Sequence, residues 1–578
     1  MTASTSTELN ASEVIETPFL VNDTVEDNVD YKGCPVKRSE SGGWRSAAFI
    51  IGLEISERIA FCGIGSNLIN YLTGSLGQST ATAAANVNAW SGAASLLPLL
   101  GGFVADSFFG RYRTILIASL LFILGLGFLT LSAVLPSFSS ADCQNAAKDV
   151  ACFPSELRIG FFFFSLYLVA LAEGGHRPCV QAFGADQFDG RDPTERRAKS
   201  SFFNWWYFGM CGGSMITFLV LNYIQDNLGW GLGFGIPCVA MAVGLILFLF
   251  GTKTYRFRIN GDEMSPFLRI GRVFVKAGKN WRASSSAISI EEESLGFLPY
   301  EGSQQFKFLN KALLARDNSK EDDHVCSITD VEEAKAVLRL FPIWATGLVY
   351  GIMFSQPPTF FTKQGVTMDR SISPSVQVPA ASLLSFMTLS IMIFIPIYDR
   401  VLVPIARSVS GRPSGLTTLQ RVGTGIVLSC LTMVIAALVE MKRLETAKAY
   451  GLVDNPKETI PMSVAWLIPQ YFLFGVADTF ISIGLQEFFY DQVPSDLKSI
   501  GLALYLSVFG FGNFLSSFLI SVIEKATGGD GRDSWFSDNL NKAHLDYFYW
   551  LLSALSAVSL ITYLYFTQSH IYNRASNI

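Results

Sequence analysis

The sequence predicts an all-α membrane protein of about twelve transmembrane helices in two six-helix halves. Half of its 578 residues are hydrophobic and only 16% are charged, whereas an average soluble protein carries about 25% charged residues. Twelve long apolar runs recur along the chain, each near the roughly 20 residues that a helix needs to cross a bilayer. A polar stretch of about eighty residues separates the first six runs from the last six, which is the layout of a two-half transporter.

The apolar runs also divide the chain into segments. They lie near 45–72, 80–108, 113–135, 158–181, 200–223, 231–252, 337–362, 378–399, 416–440, 462–489, 500–523 and 547–567. We therefore predict a disordered cytosolic tail over 1–43, a first bundle over 44–252, a cytosolic central loop over 253–334, a second bundle over 335–568 and a cytosolic tail over 569–578. The central loop is expected to be part helix and part disordered, acting as a tether or regulatory segment.

Lysine and arginine set the predicted orientation. They follow runs 2, 4, 6 and 8, for example at Arg111, Arg191, Lys253 and Arg400, whereas the turns after runs 1 and 5 carry none. Both termini are therefore expected on the cytosolic side. The segment 16–21 is similar to an acidic dileucine sorting signal with valine in its second position, and it favours the vacuolar membrane over the plasma membrane.

Composition argues against several other classes of protein. A net charge of −5 argues against a nucleic-acid binder. The nine cysteines lack CxxC spacing and the four histidines lack an HExxH motif, so we expect no metal centre and no cofactor. The sequence shows no phosphate loop or nucleophile elbow, so we expect no enzyme. Cys143 and Cys152 in the loop after run 3 either form a disulfide in an oxidising compartment or remain free thiols.

The first run carries three charges, Glu54, Glu57 and Arg58, within apolar flanks. A charge at mid-membrane costs about 2.5–3.5 kcal/mol unless it finds a partner. Spacings of three and four residues place all three side chains on one flank of a helix. They form either an internally neutralised structural cluster or a proton- or ion-coupling site on a translocation path, and the rule for intramembrane charges favours the second.

Run 4 offers a partner for these carboxylates. It ends in Glu173-Gly-Gly-His176-Arg177-Pro178, and Arg177 is the predicted cationic partner of a run 1 carboxylate. The alternative is an arginine at the membrane boundary whose side chain extends to the aqueous interface. His176 either titrates near neutral pH or is structural.

Runs 7 and 10 supply further candidates for substrate contact. Glu487 is an isolated carboxylate in an aromatic setting, and it either closes a structural ion pair or binds a cationic group of the substrate. Tyr350 and Gln356 stand among apolar neighbours, where such groups either line a cavity or pack.

The turn between runs 2 and 3 carries Asp106, Arg111 and Arg113 around a glycine. An acid on one side and bases on the other predict interhelical ion pairs that hold one conformation and break in another, a gating function. A plain positive-inside turn explains the two arginines but not Asp106. Thr114 lies in a basic context that a kinase could use, so a kinase acting on cytosolic loops is a candidate partner.

Taken together, these motifs resemble the plant nitrate transporter/peptide transporter family, within the proton-dependent oligopeptide transporters of the major facilitator superfamily. The resemblance runs from about Tyr31 to Phe566. It is carried by Glu54-Ile-Ser-Glu57-Arg58, the Asp106–Thr114 turn, Phe183-Gly-Ala-Asp186-Gln187-Phe188-Asp189, Phe202-Phe-Asn204-Trp-Trp-Tyr207-Phe-Gly209, and Pro469-Gln-Tyr471 followed by Glu487-Phe-Phe-Tyr490.

The resemblance implies rocker-type alternating access with substrate import driven by protons. It implies that Glu54 and Glu57 carry protons, that Arg58 alternates between them and the substrate, and that the run 4 base pairs with them. It further implies that Glu487 holds the amino terminus of a peptide in peptide-carrying relatives.

Three positions depart from the family pattern. Arg177 stands where the family usually has lysine, and a forked guanidinium that stays charged pairs more tightly. Phe61-Cys62 stands where peptide carriers often have Tyr-Tyr, which removes two hydroxyl donors. Phe354 stands where one branch has the histidine that binds nitrate.

We therefore expect a proton-coupled symporter of small anionic or zwitterionic solutes, with short peptides ahead of other substrates. The first alternative is a transporter of nitrate or an organic anion such as a hormone or a defence glucoside. The second, from another class, is a membrane receptor that binds a solute without moving it, to which the tight pairing of Arg177 gives some support. The expected partners are a small-molecule substrate, protons and the lipid bilayer.

Overall fold

The structure is a computed structural model that describes residues 24–134, 156–189, 192–258, 266–281, 306–313, 326–373, 376–410, 416–493, 498–528 and 534–569. Cys143, Cys152 and the segment 16–21 lie outside these residues. The described chain is almost entirely helical, with a few short strands at the two ends of the helical bundles. The predicted all-α membrane fold is confirmed.

Within the described residues, twelve helices follow the predicted runs, and we number them α1–α12. Their bounds are α1 Gly43–Gly65, α2 Thr80–Val104, α3 Arg111–Val134, α4 Glu156–Ala185, α5 Pro193–Ile216, α6 Trp230–Phe250, α7 Phe341–Phe354, α8 Leu384–Ile397, α9 Thr418–Ala449, α10 Ile468–Asp491, α11 Lys498–Thr527 and α12 Leu545–Ser569. Short helical turns extend several of them, so that the segment around α5 continues to Asn227 and the segment around α7 runs from Ile328 to Val366.

Eleven of these helical segments are long and apolar enough to cross a membrane within the described residues. The exception is α1, because Glu54, Glu57 and Arg58 lie within its apolar flanks. This helix nevertheless packs along α5 and α6, and its three charged side chains are buried inside the bundle. Burial among neighbouring helices, rather than hydropathy, therefore places α1 in the fold.

The helices form two bundles. In the first bundle, α3 packs on α4 and α6, α4 packs on α2, and α1 packs on α5 and α6. In the second bundle, α9 packs on α10 and α12, α7 packs on α11 and α12, and α8 packs on α10. Small residues permit the closest approaches, since a Cβ on Gly101 of α2 would overlap the carbonyl oxygen of Gly174 in α4. The bundles meet mainly where α2 packs on α11 and α5 on α8.

Short strands mark the two ends of the molecule. At the end where α1 begins and α12 ends, which we call the terminal side, β1 (Thr24–Val29) pairs with β2 (Pro35–Lys37) and with β3 (Phe257–Arg258). At the opposite end, the far side, β4 (Met368–Asp369) pairs with β7 (Ile460–Ser463), and β5 (Ser371–Ser373) pairs with β6 (Val376–Gln377).

The predicted disordered tail needs a correction over 24–43. The three-stranded sheet buries Val25 and Val36, and Arg38 donates a hydrogen bond of 2.7 Å to Asp189 beyond the end of α4. Arg256, next to β3, is buried and makes hydrogen bonds of 2.7 and 3.1 Å to Glu195 of α5. The polar composition of this segment suggested disorder, but these long-range ion pairs hold it against the first bundle.

The described part of the central loop contains an amphipathic helix, Pro266–Lys279, and a short 3-10 helix, Lys307–Leu313. The amphipathic helix buries Ile270, Val273 and Ala277 and packs on the 3-10 helix and on the α-helix Ile328–Arg339. Arg269 anchors it through a contact of 2.8 Å to Glu333. The helical part of this loop is therefore folded against the start of the second bundle.

Among the described residues, hydrogen bonds at three places join the bundles across the far half of the molecule. Asp538 accepts one of 2.7 Å from the backbone N–H of Thr80, Lys363 donates one of 3.1 Å to Thr73, and Asn88 donates one of 3.1 Å to Ser516. These residues lie on the loops and helix ends of the far side or within the far half of α2 and α11. These contacts hold the two bundles together on the far side.

Candidate functional site

A buried cluster of charges occupies the first bundle at the middle of α1. Arg58 forks onto Glu57, with Nε donating to Oε2 at 2.6 Å and Nη2 donating to Oε1 at 2.8 Å. Glu54, one turn earlier, has its Oε1 at 3.7 Å from Arg58 Nε, which is an ion pair but not a hydrogen bond. The predicted side of α1 thus faces the interior of the protein.

Glu173 of α4 completes this cluster. Arg58 Nη2 also donates to Glu173 Oε1 at 3.0 Å, so one guanidinium joins α1 to α4. The carboxyl groups of Glu57 and Glu173 lie within hydrogen-bonding reach of each other. Two carboxyl groups form such a bond only when one of them carries a proton, because two carboxylates offer only acceptors.

Close backbone packing holds these helices in register. Gly213 of α5 faces α1 so tightly that a Cβ there would lie 3.0 Å from the Cβ of Arg58. On α4, Gly174 follows Glu173 directly and contacts Leu97 of α2, where an added Cβ would lie 2.8 Å from the Leu97 Cβ. The glycines therefore let α5 approach α1 and α4 approach α2 closely.

Arg177 lies one turn of α4 further toward the terminal side. Its Nη1 is 4.0 Å from Glu173 Oε1, and its side chain is 34% exposed. The closest described acid to Arg177 is thus on its own helix, and Arg58 is the base that reaches the carboxylates of both helices. An exposed guanidinium at the edge of a buried acidic cluster is available to an anionic group of a solute.

The cluster carries an excess of negative charge. Its carboxylates are Glu54, Glu57 and Glu173, and the guanidiniums within 4.0 Å of them are Arg58 and Arg177. Full ionisation therefore leaves one negative charge in a buried setting, which is unfavourable unless a cation is bound. A single proton would neutralise the site.

A metal ion is a second candidate ligand at the same place. Glu54, Glu57 and His176 each bring one potential ligand atom to within 4.8 Å of the others. However, both oxygens of Glu57 already accept hydrogen bonds from Arg58, and a divalent ion would exceed the single excess charge beside a guanidinium. The chemistry of the site therefore suits a proton better than a metal ion.

A second polar group lies in the other bundle, where Tyr350 of α7 and Asp478 of α10 meet. The Tyr350 hydroxyl donates to Asp478 Oδ1 at 2.6 Å, and the Ser482 hydroxyl donates to the same oxygen at 2.5 Å. Asp478 is close enough to Tyr207 on α5 for the two side chains to interact electrostatically, and Arg177 is similarly close to Tyr505 on α11. The two groups thus face each other across the interface of the bundles.

The structure places Gln356 and Glu487 away from this pair of groups. Gln356 is fully buried and donates hydrogen bonds of 3.0 and 3.3 Å to Ser355 and Ser516, at the junction of α7 and α11. Glu487 lies near the terminal end of α10, where its side chain is 46% exposed and Arg421 Nη1 is 3.3 Å away. Of the two interpretations offered for Glu487, this geometry is that of an ion pair.

The predicted gating turn lies at the terminal side of the first bundle. Asp106 belongs to a π-helical turn, Ala105–Phe109, and its side chain lies outside the described part of the structure. Arg111 Nη1 contacts Asp186 Oδ2 at 2.5 Å, a pair that joins α3 to the end of α4, and Arg113 is exposed. Thr114 is buried and donates to the Gly110 carbonyl, so a kinase could not reach it in this conformation.

Sequence reasoning gave no role to Glu173 or Asp478, although each carried a usable signal. Glu173 precedes Arg177 by four residues and is an intramembrane carboxylate, so the rule that singled out Glu54 applied to it equally. Asp478 lies mid-way along α10 in an apolar stretch. Its partners Tyr350 and Ser482 become evident only once α7 and α10 are packed together.

Several known proteins are similar to this chain in sequence. The profile of the POT family (PTR2) matches residues 112–536. Protein NRT1/PTR FAMILY 5.10 of Arabidopsis thaliana is 64% identical over 546 residues, covering 94% of this chain and 96% of that protein. Protein NRT1/PTR FAMILY 5.13 of the same plant is 56% identical over 557 residues, covering 96% of this chain and 98% of that protein.

Solved structures share the fold at much lower identity. An auto-inhibited POT family peptide transporter aligns with a TM-score of 0.69 at 22% identity, covering 92% of this chain and 98% of that one. The POT family transporter PepTSo aligns with a TM-score of 0.66 at 21% identity, covering 91% of this chain and 98% of that one.

Proposed function

Because this chain belongs to the POT family and to its NRT1/PTR group, it is a transporter, and we propose that it is a proton-coupled symporter of small solutes. The observation that carries the proposal is the buried cluster of Glu54, Glu57 and Glu173 around Arg58. It has one negative charge in excess, and two of its carboxyl groups lie within hydrogen-bonding reach of each other. One proton satisfies both conditions.

The geometry suggests how the proton and the solute are coupled. Without the proton, Arg58 is needed to neutralise Glu57 and Glu173, and Arg177 is attracted to Glu173 at 4.0 Å. Protonation of one carboxyl group releases part of that attraction, so a guanidinium becomes free to bind an anionic group of the solute. Loading the proton and loading the solute therefore favour each other, which is the requirement for symport.

The two facing groups suggest the charge pattern of the solute. Arg177 offers a positive charge from the first bundle, and Asp478 offers a negative charge from the second. A solute with a carboxylate and an ammonium group, such as a short peptide, can bind both at once. The structural support for short peptides is thus the presence of Asp478 opposite Arg177, and it does not depend on Glu487.

Uptake into proteoliposomes tests this proposal. Radiolabelled dialanine should accumulate under an inward proton gradient, and Asp478→Asn should reduce that uptake by at least about tenfold, the effect of losing about 1.4 kcal/mol of binding. Asp546→Asn, a change at a buried carboxylate at the start of α12, is the matched control and should leave uptake unchanged. Absence of any gradient-driven uptake of dialanine or nitrate by the wild type would refute the symporter.

A purely anionic solute is the second candidate, because Arg58 and Arg177 are the bases nearest to the coupling cluster. Labelled nitrate or an organic anion would then need the first bundle alone. In that case Asp478→Asn should leave anion uptake intact or increase it, since a repulsive carboxylate is removed. The same variant thus distinguishes the two classes of substrate.

We also propose an orientation and a membrane. The concentration of lysine and arginine in the loops after runs 2, 4, 6 and 8 supports a cytosolic terminal side, so the far side, where hydrogen bonds join the bundles, would face away from the cytosol. The motif over 16–21 supports the vacuolar membrane. A fluorescent fusion should move from the vacuolar to the plasma membrane when Leu20 and Val21 are changed to alanine, and an unchanged location would refute the sorting role.

A further inference from the structure

His176 is a buried histidine to which the coupling mechanism above gives no role. It lies on α4, three residues after Glu173, and is fully buried. Within the described part of the chain, neither its Nδ1 nor its Nε2 has a hydrogen-bond partner. A buried imidazole without partners is unfavourable, so a ligand that hydrogen-bonds to it would stabilise it.

The surroundings of His176 indicate which ligand. One of its ring nitrogens lies within 4.8 Å of a carboxylate oxygen of Glu54 and of Glu57, and Glu54 Oε2 is also without a hydrogen-bond partner among the described residues. Two hydrogen bonds of about 2.8 Å that meet at a tetrahedral angle span about 4.6 Å. One water molecule would therefore connect the imidazole with the carboxylates.

The charged neighbours of His176 come from two helices. Glu54, Glu57 and Arg58 face it from α1, and Glu173 and Arg177 belong to its own helix. From α3 it meets the ring of Phe122, with ring centroids 6.5 Å apart, and that ring offers no hydrogen bond in the plane of the imidazole. The orphan nitrogens therefore point to the acidic cluster as their functional partner.

We propose that His176 is a proton acceptor of the coupling site, exchanging the transported proton with the carboxyl groups of Glu54 and Glu57. This inference rests on the proposed proton-coupled transport. In the exchange, the O–H bond of a protonated carboxyl group breaks and an N–H bond forms on the imidazole, directly or through one water. The imidazolium then faces the carboxylate that gave up the proton, and the charge of the cluster as a whole does not change.

This exchange supplies a step that the carboxylates lack. While the proton is on Glu57, the carboxyl group cannot pair fully with Arg58. Once the proton is on His176, Glu57 can take back both hydrogen bonds from Arg58, and the proton is stored apart from the ion pair. His176 thus separates the holding of the proton from the release of the guanidinium.

Histidine NMR tests the exchange without knowledge of the substrate. The chain has four histidines, so [¹⁵N]histidine labelling of the reconstituted full chain gives few signals, and His176→Asn identifies the signal of His176. That signal should change as the imidazole takes up a proton, and Glu54→Gln should alter the pH dependence of this change, because the imidazolium loses an anionic neighbour. His544, partly exposed near Asp546, is the internal control and should not respond to Glu54→Gln.

Transport supplies the second measurement. When dialanine has the same concentration on both sides of the membrane, its exchange needs no net movement of protons, so His176→Gln should retain this exchange. The variant should lose most of the accumulation that a proton gradient drives. A His176 signal that does not titrate, or that titrates identically in Glu54→Gln, overturns the inference. The inference is also overturned if His176→Gln transports dialanine with the same dependence on pH as the wild type. If the wild type itself shows no gradient-driven uptake, the proposed symport fails, whereas the NMR result still decides whether His176 and Glu54 share a proton.

Discussion

Neutralising the three carboxylates one at a time gives the sharpest test of the charge excess. Glu54→Gln, Glu57→Gln and Glu173→Gln each remove one negative charge, so each leaves the cluster neutral without a bound proton. All three should therefore lose proton-driven accumulation while keeping the exchange of solute across the membrane. Their effects on stability should differ, because the three side chains hold Arg58 in different ways.

The expected losses of stability follow from the contacts. Glu57 accepts two charge-assisted hydrogen bonds from Arg58, at 2.6 and 2.8 Å, and its replacement leaves a buried guanidinium poorly paired, at a cost of about 3–5 kcal/mol. Glu173 accepts one at 3.0 Å, and its replacement should cost about 1–3 kcal/mol. Glu54 approaches only to 3.7 Å, so Glu54→Gln should change the free energy of unfolding by less than about 1 kcal/mol. Of the three variants, Glu54→Gln should therefore lose coupling with the smallest loss of stability.

The assay is accumulation of radiolabelled dialanine in proteoliposomes with the membrane potential clamped at zero. With one proton per zwitterionic solute, an inward gradient of one pH unit drives about tenfold accumulation, because one unit corresponds to about 1.4 kcal/mol. The wild type should approach that ratio, and Glu54→Gln should approach a ratio of one. The expected loss is thus close to tenfold and does not depend on the amount of protein reconstituted.

Glu440→Gln is the matched control for this series. Glu440 is fully buried and accepts two hydrogen bonds from Arg443, at 2.6 and 2.8 Å, but it lies in α9 of the second bundle. The variant should be destabilised like Glu57→Gln and should still accumulate solute. Accumulation by Glu54→Gln at the wild-type ratio would refute the reasoning, as would loss of coupling in Glu440→Gln at wild-type exchange rates.

Three further predictions concern other parts of the structure. Arg256→Ala should lower the free energy of unfolding by about 1.5–3 kcal/mol, because it removes the charge-assisted hydrogen bonds of a buried guanidinium to Glu195, and a thermal unfolding scan in detergent with Lys32→Ala as an exposed control checks this. Tyr350→Phe removes the 2.6 Å hydrogen bond to Asp478 and should raise the KM for dialanine by about 3–10-fold, from 0.5–1.5 kcal/mol per hydrogen bond; an unchanged KM would show that Asp478 does not contact the solute. Asp538→Ala removes the hydrogen bond to the Thr80 N–H and should populate the state open on the far side, which cysteine labelling from that side would detect as faster modification than in the wild type.

The terminal-side ion pairs give the family motifs a structural role. Within Phe183–Asp189, Gln187 donates to the backbone carbonyl of Arg256 at 3.1 Å and accepts from its N–H at 2.8 Å, and Asp186 pairs with Arg111. Both contacts lie within the first bundle, so they would move with it as one body. The motif therefore fastens the end of α4 to its neighbours.

The sequence by itself determined the membrane fold, the two sets of six helices and the inward orientation of the charges on α1. These follow from properties that need no tertiary information: the length of an apolar run, the spacing of its charges, and the cost of leaving a charge in lipid. The same rules did not give the sheet that orders residues 24–37, because its third strand lies more than two hundred residues away, at Phe257–Arg258.

Only the tertiary structure decided which charged groups meet. The sequence suggested Arg177 as the partner of a carboxylate on α1, whereas the packed structure brings Glu173 to Arg58 and leaves Arg177 at the edge of the cluster. Distances across helices depend on how closely the backbones approach and on the rotation of each helix, and no spacing within one segment contains that information. The residues of the proposed proton site can be found in the sequence, but only the packing of the helices shows that they lie together.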